Sequence, residues 1–123
     1  PATWRGVDLE VDASNQFKLS CDVRVETVSG SYRLSVGSLY RVQVAGDERH
    51  LVDAQFKVNA GTLELTAGGG LIQMANGTIY ISIGGSSVTL TDGALVLASN
   101  GSTLTMNAGS ITASSPFIHL NPA

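Results

Sequence analysis

The chain has 123 residues and a mass of 12.7 kDa, the size of one domain, yet only 14% of its residues are charged and 6% aromatic against roughly 25% charge in an average soluble domain. Seven Lys and Arg against ten Asp and Glu, a net charge of −3, exclude a nucleic-acid binder, and a mean hydropathy of +0.19 excludes a disordered chain. Gly, Ser, Thr and Asn break every apolar run, so no helical span of about 20 apolar residues exists.

Residues 1–22 are expected to be a transition segment from an upstream domain, since the chain opens on Pro1 rather than Met. Val7, Leu9 and Val11 alternate and predict a strand, with Trp4 placed to staple it; Arg5, Asp8, Glu10, Asp12 and Lys18 mark a solvated base. Cys21, the single cysteine, sits in the alternation Phe17, Leu19, Cys21, Val23, Val25 and is expected to be a buried small hydrophobe. One cysteine excludes a disulfide within the chain, and no sequence feature brings His50 or His119 beside it as a catalytic base.

Residues 23–60 carry a repeat of eight. Val28, Val36, Val44 and Val52 recur at that spacing, in units VSGSYRLS, VGSLYRVQ, VAGDERHL and VDAQFKVN. Apolar residues alternate within each unit, which predicts strands, and pairs at 34/36, 42/44 and 58/60 keep one phase, with Val36, Val44 and Val58 expected on the axis of the fold. His50 falls at that inward phase. A ring of His50 would make a buried polar layer holding water or an anion; the reading preferred from sequence is a local slip that turns Leu51 inward and leaves Asp47, Glu48, Arg49 and His50 as a solvated patch.

Residues 61–115 form a glycine ladder. Gly61, Gly69, Gly77, Gly85, Gly93, Gly101 and Gly109 lie eight apart, a run with chance odds on the order of one in a million. The expected axial residues here are Leu65, Ile81, Leu90, Leu97 and Met106. The apolar pairs step 63/65, 72/74, 79/81, 88/90, 95/97, 104/106, alternating nine and seven, which reads as two unlike corners and a true repeat of 16. Turn chemistry accounts for Asp92-Gly93, the sole formal charge after Glu64, and Gly68-Gly69-Gly70 lacks the Lys-Ser/Thr and helix of a phosphate loop.

Residues 116–123 form a tip in which Pro116 ends the ladder and Phe117, Ile118, His119, Leu120 and Asn121 offer a partner-docking end. Three copies of His119 could hold a metal by trigonal imidazoles; the shared parity of Ile118 and Leu120 instead turns His119 outward, so no metal or other cofactor is expected.

Uninterrupted octads predict an all-β fold, an intertwined homotrimeric triple-stranded β-helix. A single chain turning every eight residues would be a very thin prism, whereas three chains give a triangular prism whose ladders close between chains. The segments VSGSYRLSVGSLYRVQVAG and LELTAGGGLIQMANGTIYIS resemble the C-terminal spike of VgrG proteins of type VI secretion systems and the central tail spike of contractile-tailed bacteriophages. The resemblance covers residues 22–123, and LTAGGGLIQM is closer to the VgrG kind. It implies a non-enzymatic membrane-piercing needle at a secreted or virion tail tip, attached through an upstream domain to tail tube and sheath. It also implies a PAAR-type cone protein over the C-terminal end and a cell envelope as target. Phage relatives carry a tip His-x-His pair that binds iron; Ile118-His119-Leu120 has one histidine. A trimeric adhesin or stalk would share the architecture. A β-helical glycan-processing enzyme would need carboxylate pairs and aromatic platforms, which residues 65–123 lack.

Overall fold

A computed structural model describes residues 10–121, so the expected Trp4 staple, most of the strand over Val7, Leu9 and Val11, and the charges Arg5 and Asp8 lie outside the described residues. The chain divides into two units, Pro1–Arg49 and His50–Ala123. No helix occurs among the described residues, as β-branched residues and period-two alternation require.

In the first unit, residues 10–49 contain neither helix nor strand. The octads appear as bends at 29–30, 37–38 and 45–46. Every residue of this stretch is exposed, Cys21 included. The expectation that Cys21 is buried is therefore corrected for the single chain, because no second element of that chain packs against the alternation that carries it.

The second unit continues with bends at 53–54 and 61–62 and then changes character. Seven strands follow: β1 (Leu63–Ala67), β2 (Gly70–Ala75), β3 (Thr78–Ile83), β4 (Ser86–Leu90), β5 (Ala94–Ser99), β6 (Ser102–Asn107) and β7 (Ser110–Ser114). They form one sheet in sequence order, each strand antiparallel to the next. Over this stretch the ladder closes within the chain, through hairpins, where the octad pattern predicted corners and strand partners from other chains.

Two-residue loops make those hairpins, and their chemistry is written in the sequence. Gly68-Gly69, Asn76-Gly77 and Asn100-Gly101 all have positive φ at both positions, as the hairpin turns that match strand twist demand. At 84–85 only Gly84 is positive, and at 108–109 only Gly109. Around Asp92-Gly93, the Thr91 N–H donates to the Ala94 carbonyl at 2.9 Å. Six of the seven ladder glycines thus occupy the second loop position, and Gly61 lies in a bend.

The antiparallel register also explains the alternating steps of nine and seven. A mid-strand residue meets its hairpin partner nine residues on, and that partner's next partner lies seven further: Glu64, Gln73, Tyr80, Thr89, Val96, Thr105 and Thr112 make one cross-strand column. The two-corner reading is replaced by hairpins with equal loops. Flanking that column on the other face run two apolar columns. One is Leu65, Ile72, Ile81, Val88, Leu97, Leu104 and Ala113; its neighbour is Leu63, Met74, Ile79, Leu90, Leu95, Met106 and Ile111. The sheet is one layer thick, and the described residues include no buried side chain.

Candidate functional site

The register gathers Leu65, Ile81, Leu90, Leu97 and Met106, the residues expected on the axis, onto one face of the sheet. Leu65, Ile81, Leu90 and Leu97 remain exposed there. Residues on one face of adjacent strands lie close enough to cover part of one another, which is all the cover one layer can give. The opposite face carries Glu64, Gln73 and a run of Thr and Ser, with Leu71, Tyr80 and Val96 among them. Gln73 Nε2 donates to Glu64 Oε2 at 3.2 Å across the β1–β2 pair. On the apolar face serines finish the strand ends, with Ser86 and Ser99 hydroxyls 2.7 Å apart and those of Ser102 and Ser115 2.8 Å apart.

Loops on one edge of the sheet also lock together. The Asn100 N–H donates to the Gly85 carbonyl at 3.1 Å, and a Cβ on residue 85 would collide with the Asn100 side chain. Glycine at 85 thus leaves room for the Asn100 side chain, whose far end would have to turn aside for any larger residue.

Residues 10–62 form no strand, and the backbone–backbone hydrogen bonds found outside the strands among the described residues are those of Thr91 and Asn100. Their apolar residues nevertheless keep the octad beat: Val28, Val36, Val44 and Val52 are 50%, 45%, 46% and 49% exposed. Leu51 is 95% exposed. The His50 ring lies beside Phe56, centroids 6.2 Å apart.

The odd-numbered positions of these octads carry a second period. Arg33, Arg41, Arg49 and Lys57 recur every eight residues, and Arg49 lies 3.8 Å from Asp47 at an exposed site. The sequence shows it as a charge period, which the spacing of apolar residues and glycines does not display. Nearer the base, Glu26 bonds Arg24 at 2.5 Å and raises its pKa, chiefly through that hydrogen bond and the charge of Glu26.

At the C-terminal end β7 is an edge strand, exposed along its length, and Phe117, Ile118, His119, Leu120 and Asn121 follow it, all exposed. Asp92 stands alone in its loop. Within one chain no three of His, Cys, Asp and Glu come together as a metal site among the described residues. No helix there is long and apolar enough to cross a membrane.

The quantity that joins these observations is area. One chain exposes 12124 Å², about twice the ~6,200 Å² expected of a compact monomer of this mass. No family model, curated protein or solved structure matches this chain.

Proposed function

We propose that this chain is one third of a homotrimeric needle, the piercing spike of a contractile injection machine of the VgrG kind. The observation that carries the reading is a single-layer sheet with one mainly apolar face, bordered by serines, preceded by octads that form no strand among the described residues. Three chains supply what each lacks. Over residues 28–62 they intertwine, each octad lying on one face of a triangular prism and pairing with octads of the other two chains. Over residues 63–114 each chain keeps its own hairpins and lays its apolar face against the faces of its two partners.

The halves are commensurate. An octad advances by one strand spacing, about 4.8 Å, whether it steps to the next prism face or folds back on the same one. Each layer then consumes three octads, one per chain, throughout. The prism face is one six-residue strand wide, about 20 Å.

A needle of this construction acts mechanically and needs no catalytic group. Sheath contraction drives it tip-first into an envelope, and dense ladders with a continuous apolar column resist buckling. The upstream end joins the tail tube. The C-terminal end presents the β7 edge with Ile118 and Leu120 to a PAAR-type cone protein, which covers an edge that would otherwise recruit stray strands. The working location is the secreted or virion-borne tip of the apparatus.

Sedimentation equilibrium tests the reading. The expected mass is three times 12.7 kDa, about 38 kDa; a monomer at micromolar concentration refutes it. Binding of a cone protein to the C-terminal end separates a needle from an adhesin stalk, which would bind none.

A further inference from the structure

We propose that residues 118–121 form a strap that folds back on the β7 edge of their own chain as an eighth strand, and that a docking partner peels it away. The strap belongs to a single chain; its role as a removable cover of the tip rests on the needle reading above.

Three observations place the strap. First, the cross-strand columns step by fixed amounts. The central apolar column ends Leu97, Leu104, Ala113, and the polar column ends Val96, Thr105, Thr112, with steps alternating seven and nine. The next step reaches Leu120 from Ala113 and Asn121 from Thr112, and sets His119 opposite Ser114 on the polar face. Ile118 and Leu120 thus share the apolar face, as their parity requires. Second, the chain arrives at the turn on the lattice of the sheet. The hairpin loops begin at 68, 76, 84, 92, 100 and 108, and eight residues later the backbone bends at 116. The Ser115 hydroxyl still meets that of Ser102 at 2.8 Å, the cross-strand partner that the β6–β7 register assigns it. Third, β7 has β6 on one side and, among the described residues, no strand on the other, while Leu120 is 85% exposed. An open ladder and an uncovered apolar residue lie on one short stretch of chain.

The loop explains why the strap stands open in this structure. Gly68, Asn76, Gly84 and Asn100 take positive φ at the first loop position; Pro116 is held at a φ of about −65° and cannot. Pro116-Phe117 is left with the form seen at Asp92-Gly93, where neither residue has positive φ and the Thr91 N–H reaches the Ala94 carbonyl. Such a loop matches strand twist poorly. Closure gains ladder bonds and cover for Leu120 against that poor loop, so the closed and open forms differ little in free energy. Closed, the strap hides the β7 edge from stray strands. Open, it frees the edge together with Ile118 and Leu120 for a partner that brings an extended strand of its own. The cone protein proposed above would displace one strand by another.

The test uses the whole chain carrying Cys21→Ser. Ser114→Cys with His119→Cys alters two residues that the closed strap sets directly opposite, within disulfide reach; Ser114→Cys with Leu120→Cys alters two that it sets on opposite faces. Under mild oxidation the first pair should lose both thiols within a single chain, and the second should keep most of its thiols. Equal loss in both reads a tail without register and overturns the strap. A band of two bridged chains on a denaturing gel places the tail on a neighbour and also overturns it. Hydrogen exchange is the second measurement: the β7 amides facing the open edge should exchange more slowly in the parent trimer than in Leu120→Asp, and equal rates overturn the strap. The bridge should abolish binding of a PAAR-type cone protein, and reductant should restore it; unchanged binding, or none in either state, overturns the displacement. A chain that keeps the bridge but sediments as a monomer overturns the needle reading and leaves the strap standing.

Discussion

Truncating Ile81 to alanine isolates what the apolar face contributes to assembly. Ile81 sits mid-sheet, paired with Ile72 and Val88, and remains 41% exposed in the single chain. An Ile→Ala change at a fully buried site costs about 2–5 kcal/mol. The share that depends on partner chains is the exposed fraction, about 0.8–2 kcal/mol per copy, or roughly 2–6 kcal/mol for three copies. At about 1.4 kcal/mol per tenfold, the trimer association constant should fall by roughly two to four orders of magnitude. Sedimentation equilibrium over a dilution series reads this directly. Thr89→Ser, on the opposite face of the same sheet and paired with Tyr80, is the control and should leave the mass unchanged. Equal behaviour of Ile81→Ala and Thr89→Ser would refute the assignment of faces.

Gly101→Ala should lower the thermal midpoint clearly more than Gly93→Ala, because residue 101 has φ of +90° and residue 93 has no positive φ and open space around it; the strain is about 1–2 kcal/mol per chain, and matching midpoints would contradict the hairpin loops described. Ile118→Asp should abolish binding of a cone protein while the trimer mass holds, and retained binding would move the docking surface elsewhere. Lysines at Thr89 and Thr105 together should leave the trimer assembled, since both lie in the polar column, and should reduce delivery across an envelope by charging a nearly neutral shaft; unchanged delivery would count against a role for that neutrality.

Much of this was legible in the sequence. The octad beat, the absence of helix, the turn positions and the assignment of Leu65, Ile81, Leu90, Leu97 and Met106 to one side all follow from period-two alternation punctuated by residues that accept positive φ. The steps of nine and seven were visible too, and they encode antiparallel hairpins: parallel corners would hold a step of eight, as residues 34–60 do. What alternation could not supply was the identity of each strand's partner, because a turn every eight residues serves a corner and a hairpin equally well. The tertiary structure decided that for β1–β7 through backbone hydrogen bonds within the chain. The sequence determined that this chain is built in octads and is short of charge. The structure located the consequence in physical terms: a sheet one layer thick has two faces, and residues of a single chain cover neither.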